Sequence, residues 1–184
     1  MTELTTLKEL FPEIPHLSGE GITLKAVTLA DKEGLQEMVN SPAVQKHLPT
    51  FLFEQQYDDM EYVINQLYDE CLEDSLILGI YKDNGAEFCG LAEMYGYNPQ
   101  LYKISLGCRL RESCWRQGIV ARALRLMTDY LYNEKGIEII TASTMVVNKP
   151  AAKAAAAAGF DLVVQGADED WGYPKPPPPA KWIR

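Results

Sequence analysis

The chain has no apolar run near the roughly 18–20 residues that a bilayer-spanning helix needs. Its opening, MTELTTLKELFPEIPH, carries acids and no basic region before an apolar stretch, unlike a secretory signal. A cytoplasmic location and no membrane partner are therefore expected. Histidine is scarce: His16 and His47 are the only two, which makes a Ser-His-Asp triad a poor fit. The four cysteines, Cys71, Cys89, Cys108 and Cys114, lie 18, 19 and 6 residues apart with no CxxC pair. Reduced thiols are expected, and no metal site. The phosphate signatures GxxxxGK[ST] and GxGxxG are both missing, and there is no internal repeat. Basic residues are too few for a nucleic-acid partner: 17 Lys and Arg stand against 26 Asp and Glu, for a net charge of −9.

What is present is the composition of one globular domain: 184 residues, 47% hydrophobic and 23% charged. The charge is uneven. Between Lys103 and Arg125 six cations (Lys103, Arg109, Arg111, Arg116, Arg122, Arg125) face the single acid Glu112. Such an island in an acidic protein points to a small polyanionic ligand or to a solvated helix face.

Periodicity predicts the elements. Leu7, Leu10 and Phe11 form a helical turn or two before Pro12. Gly21–Val27 alternates as a strand, and Thr28 and Asp31 start a helix that stops before Pro42. Met60, Val63, Ile64 and Leu67 mark a second helix. Strands over Ser75–Tyr81, Glu87–Tyr97 and Lys103–Leu110 form an antiparallel meander, with a turn at Asp83-Asn84-Gly85. A helix from Ile119 ends at Gly136, a strand covers Ile137–Val147, a helix covers Pro150–Ala158 with Gly159 as its C-terminal cap, and a strand covers Phe160–Gln165. Five of the 11 prolines fall within Pro174–Pro179. They make a stiff arm that delivers Trp182 and Ile183 to the domain as a last strand, or to a second subunit of a homodimer. The expected layout is a leading segment over 1–20, a domain over 21–165 and the arm over 166–184.

The turn Cys114-Trp115-Arg116-Gln117-Gly118-Ile119-Val120-Ala121 joins a strand to a helix. Glycine lets the backbone approach a ligand, and the unpaired amides of a helix start sit at the positive end of its dipole. Such a place binds phosphate oxygens; Arg116 and Arg122 add charge and Gln117 a hydrogen bond.

The order of elements, with LGCRLRESCWRQGIVARALRLMTDYLYNEKGI, resembles the GCN5-related N-acetyltransferase (GNAT) superfamily and its acetyl-CoA motif. The Trp115–Ile119 variant is similar to the subgroup that acetylates ribosomal-protein N-termini. A second match is the spacing from Asn148 to Gly159-Phe160. The resemblance covers about Gly21 to Gln165. It implies an α/β (α+β) fold with a mixed, mainly antiparallel central sheet and helices on both faces. It implies acetyl-CoA as cosubstrate, no metal, and acetyl transfer to a primary amine, either a protein N-terminus or a small molecule, by direct attack in a ternary complex. By position, Leu110 and Arg111 pair through their backbone with the pantetheine arm. The amides of Arg116, Gln117, Gly118, Ile119, Val120 and Ala121 hold the pyrophosphate. Asn148 contacts the arm and Lys153 meets a cofactor phosphate.

Three positions depart from the family: Trp115 and Val120 within the motif, and Ala155 where a tyrosine usually protonates the thiolate. A catalytically degenerate acyl-CoA-binding module is the alternative they raise. Glu93 is the candidate general base. In GLAEMYGY, Leu91, Glu93, Tyr95 and Tyr97 share one strand face, where an acid among aromatics has a raised pKa. Glu112 is the weaker candidate.

Overall fold

The chain's local signals set most of its boundaries. A capping box of Thr6 and Glu9 closes α1 (Leu7–Leu10). A two-strand hairpin follows, β1 (Leu17–Gly19) and β2 (Ile22–Lys25), turned at Glu20 and Gly21, both at positive φ. Asp31 accepts the Thr28 amide at 2.9 Å and leads into α2 (Lys32–Asn40). Ser41 caps α3 (Pro42–Gln45). Asp59 caps a continuous helical run made of α4 (Met60–Tyr62), a π turn (Val63–Leu67) and α5 (Tyr68–Glu70). The meander is β3 (Ser75–Lys82), β4 (Glu87–Asn98) and β5 (Lys103–Leu110). Then come α6 (Ile119–Glu134), β6 (Ile139–Met145), α7 (Lys149–Ala157), β7 (Asp161–Gln165) and β8 (Pro179–Ile183). This computed structural model describes residues 6–46, 53–145, 149–165 and 179–184.

One sheet takes the strands in the order β1-β2-β3-β4-β5-β6-β8-β7, antiparallel throughout except for the β5–β6 pair. Each face is buried. Leu24, Leu78, Met94 and Leu106 pack with α1, α6 and Ala155 of α7. Ile77 and Leu91 pack with α2, α3 and the α4–α5 run through Leu35, Met38, Val44 and Val63. The sheet is therefore mixed and mainly antiparallel with helices on both faces, as the family resemblance implied.

Two features differ from the sequence reading, and the tail follows one of the two courses expected of it. The β1 hairpin escaped it, because three residues cannot show a period. Leu7, Leu10 and Phe11 ahead of it are fully part of the α6-side core. The tail enters this chain's own sheet: β8 lies between β6 and β7, and Trp182 is buried opposite Ala142 and Leu162. Finally, the alternation of β4 breaks twice. Pairing with β3 passes from Phe88 to Gly90, skipping Cys89, and Gly96 adopts positive φ. Tyr97 thereby packs against the α6-side core with Met94, not on the face of Leu91 and Glu93.

Trp182 ties the last strand pair into the core. Trp182→Ala is expected to cost about 3–5 kcal/mol, read as a lowered midpoint in urea denaturation with an unchanged slope.

Candidate active site

β5 outruns its pairing with β6. Their parallel register covers Lys103↔Ile139 to Leu106↔Ala142, while β5 continues to Leu110 and β6 turns to β8. On its other edge β5 stays paired to β4 as far as Leu110↔Gly90. The two middle strands therefore part beyond Leu106, which opens a gap in the sheet. Arg111 donates its amide to the Cys89 carbonyl at 2.9 Å, on the β4 side. Backbone direction alternates along a strand, so Cys108 and Leu110 turn their peptide groups toward the gap. The Leu110 carbonyl accepts the Trp115 indole N–H at 3.1 Å, and its amide faces the gap.

Arg111 corrects the sequence reading. Its amide goes to Cys89, its carbonyl accepts the Cys114 amide at 3.0 Å, and its guanidinium holds Phe88 O and Glu37. Of the two backbone positions expected at the gap, Leu110 alone is turned to it.

The loop after β5 runs through Arg116 and Gly118, both at positive φ, into α6. Gly118 occupies the N-cap position in a left-handed conformation, and no side chain caps the helix. The first helical bond is Arg122 N to Gly118 O, 3.3 Å, so the amides of Ile119, Val120 and Ala121 have no partner within the helix. A Cβ on Gly118 would meet nothing within 4 Å, so the loop's outer side is open there.

The loop is stiffened from behind. Arg122 donates to the carbonyls of Gly118, Gln117 and Glu20, at 3.3, 3.0 and 2.8 Å. Gln117 donates to Ser113 O and accepts from Lys82 Nζ at 3.3 Å. These two side chains shape the loop; they were expected to supply charge and a hydrogen bond to a ligand. The cationic island also disperses in space. Arg109, Arg111 and Arg125 pair with Glu54, Glu37 and Glu20. Arg116 remains exposed at the loop, while Lys153 is exposed on α7. Asn148 lies outside the described residues.

Glu93 sits at the start of the gap, opposite Gly107 on β5 and Ile77 on β3. It is 9% exposed. Burial pushes its carboxyl above the usual range, against the opposing pull of Arg109 and a hydrogen bond from Ser75, and Glu54 pushes it further up. An open cleft of about 540 Å³ is lined by Glu73, Asp74, Ser75, Tyr95, Gly96 and Tyr97. Ser75 is thus shared between the cleft and Glu93. Glu112 is elsewhere, accepting a hydrogen bond from Ser41 at 2.6 Å. Ala155 is 2% exposed and part of the core, and α7 ends in a Schellman pair, Phe160 N to Ala155 O and Gly159 N to Ala156 O.

The sequence reading missed Glu54 and counted Arg109 only as a member of the cationic island. Arg109 is buried beneath the α4–α5 side and held by Glu54. A lone arginine at an inward position of a central strand was the available signal, since a buried charge must find a partner. Gly90 was also passed over. A Cβ there would lie 2.0 Å from Arg109 O, and a glycine inside a strand pattern marks such a close approach. No cluster of metal-ligand residues occurs among the described residues, and no helix of the described chain is long and apolar enough to cross a membrane.

A mixed sheet that splits beside an open, uncapped helix start suits a ligand with an extended amide-bearing arm and a phosphate group. The family model of the acetyltransferase (GNAT) domain matches residues 22–161, and the chain belongs to that family. Solved structures share the fold at low identity. RimL, a ribosomal L7/L12 alpha-N-protein acetyltransferase in complex with coenzyme A, is 18% identical with a TM-score of 0.74, over 92% of this chain and 97% of its own. The microcin C7 self-immunity acetyltransferase MccE, in complex with acetyl-CoA and AMP, is 20% identical with a TM-score of 0.70, over 90% and 93%. The spermidine N-acetyltransferase of Vibrio cholerae, in complex with CoA and spermine, is 14% identical with a TM-score of 0.71, over 90% and 96%. No curated protein matches this sequence.

Proposed function

We propose that the chain transfers an acetyl group from acetyl-CoA to a primary amine by direct attack, with Glu93 as general base. The observation that carries this reading is the coincidence of three parts. They are the β5–β6 gap, the open amides at the start of α6, and a buried carboxylate where the gap begins. The donor set fits the cosubstrate. The amides of Ile119, Val120 and Ala121 suit phosphate oxygens, and the edge of Cys108–Leu110 suits an extended amide-bearing arm. The complexes of RimL, MccE and the spermidine enzyme with CoA species support the same cosubstrate.

The acceptor attacks as the neutral amine: its nitrogen bonds to the acetyl carbon as the C–S bond breaks, Glu93 takes the proton the nitrogen loses, and CoA leaves as the thiolate, to be protonated by water. The Leu110 amide donates to the thioester carbonyl oxygen as negative charge develops on it. Direct attack is favoured over an acyl-cysteine route, because three of the four thiols are held protonated. Burial raises Cys71, and pushes Cys89 and Cys108 up to about 12. Glu73 and Asp74 beside Tyr95 and Tyr97 favour a cationic amine, whether a small molecule or a basic protein terminus.

Ala155 supports one other reading, an acyl-CoA-binding module without turnover: at 2% exposure it supplies no group for thiolate protonation. One experiment separates the two. Calorimetric titration with acetyl-CoA, beside CoA and ATP, is expected to give micromolar binding of both CoA species and none of ATP. Gly118→Trp is expected to weaken it at least about tenfold by filling the open loop face. A thiol-release screen over amines then reports turnover. Binding with no release from any amine would favour the module, and no binding of either CoA species would sink both readings.

A further inference from the structure

Glu93 and Arg109 are diagonal neighbours on one face of the sheet, because Glu93 is opposite Gly107 and Arg109 is opposite Leu91. Gly107 puts no side chain between them. Yet the guanidinium of Arg109 is committed away from Glu93. It makes a two-pronged pair with Glu54, Nη1 to Oε2 at 2.9 Å and Nη2 to Oε1 at 3.1 Å, with side chains 3% and 0% exposed. Tyr68 Oη donates to Glu54 Oε1 at 3.0 Å and fixes the carboxylate from the helical side. We propose that Glu54 is a positioning residue for Glu93: it holds the Arg109 guanidinium in that pair, and so keeps Glu93 basic enough to take the acceptor's proton. The proposal rests on the reading of Glu93 as general base.

The reasoning is electrostatic. Around Glu93 stand Ser75 from β3, Arg109 and Cys108 from β5, Glu54 from the turn Phe53–Gln56, and Tyr68 and Cys71 from the helical run. Arg109 is the cation that pulls Glu93 toward its charged form, and Glu54 offsets that pull. A carboxylate that shares a buried cation with a second carboxylate is left less stabilised, and is the stronger base. Without Glu54, Glu93 would be the carboxylate left to share the Arg109 field, and a closer Glu93–Arg109 pair would make it a weaker base.

The test needs no acceptor. The protein is labelled with δ-¹³C glutamate, the Glu93 carbon is assigned by Glu93→Gln, and its titration is followed by NMR. The wild-type midpoint is expected above the ordinary glutamate value of about 4.3. Glu54→Gln is expected to lower it by roughly one unit or more, and Glu54→Asp, which keeps the charge on a shorter arm, by less. The double variant Glu54→Gln/Arg109→Gln is expected to bring the midpoint back to the wild-type value, which a merely structural role for Glu54 would not do. An unchanged midpoint in Glu54→Gln, or no recovery in the double variant, overturns the proposal. Should Glu54→Gln fail to fold, Glu54→Asp decides, and an unchanged midpoint there overturns it. Full acetyl transfer by Glu93→Gln would overturn the general-base reading and the proposal with it. An inactive Glu93→Gln with a flat response to Glu54 overturns the proposal alone.

Discussion

Glu93→Gln lowers kcat by about 10²–10⁴-fold, the usual worth of a positioned general base, and leaves acetyl-CoA binding unchanged. That is the expected result once an amine acceptor is in hand, and a thiol-release assay across pH reads it. With Glu93 as general base, the wild-type kcat/KM is expected to rise with pH through the raised pKa of Glu93, because only the carboxylate accepts a proton. The variant loses that acid limb. An activity within about threefold of wild type with the limb intact would remove Glu93 from the mechanism.

The same substitution has an opposite effect on stability. Glu93 titrates higher in the folded chain than in the unfolded one, so between those two values the folded state binds more protons. Stability therefore falls as pH rises from the unfolded glutamate pKa through the folded one, and the loss is complete above it. Glutamine carries no such loss. The melting temperature of Glu93→Gln is expected to exceed that of the wild type by a margin that grows across this window, measured by circular dichroism at several pH values. A group selected for packing would show the reverse; a buried base is a place where stability is given up for reactivity.

Gly90→Val is expected to have the largest effect on folding. The β4 bulge at Cys89 brings Gly90 so close to β5 that a Cβ would lie 2.0 Å from Arg109 O and 2.8 Å from Leu110 Cα. Both are backbone atoms of the strand that borders the gap, so neither can rotate away. The cost exceeds the ~1–3 kcal/mol typical of an overpacked core, and the strand that yields carries Leu110. Loss of soluble expression, or a protein that folds without binding acetyl-CoA, is the expected outcome. A variant with wild-type melting temperature and wild-type acetyl-CoA binding would show that β5 moves without consequence.

Much of this was legible in the sequence because it is local. Capping residues, periodic apolar faces and turn glycines placed the three meander strands, α6 and α7 within a residue or two. They work over spans of three to ten residues, and tertiary packing does not contradict them. The loop from Cys114 to Ala121 was readable for the same reason: a glycine before a helical period fixes an open helix start whatever lies around it. The resemblance of that loop and of the last helix to one family supplied the mixed, mainly antiparallel sheet with helices on both faces.

What only the tertiary structure decided is non-local. The island of six cations is contiguous in sequence, but a strand and a helix send its members to opposite faces of the sheet. Arg109 goes under the α4–α5 side to Glu54, Arg111 to Glu37, and Arg125 to Glu20, partners 55, 74 and 105 residues away. No spacing rule reaches that far. A side-chain period also cannot announce its own interruption, so the irregularity at Gly96 moved Tyr97 off the face of Glu93. The sequence by itself determined an open helix start after β5 and an acid at an inward strand position, Glu93. The fold decided how strong that carboxylate is as a base, because that depends on which charges share its burial, and burial exists only once the strands have paired.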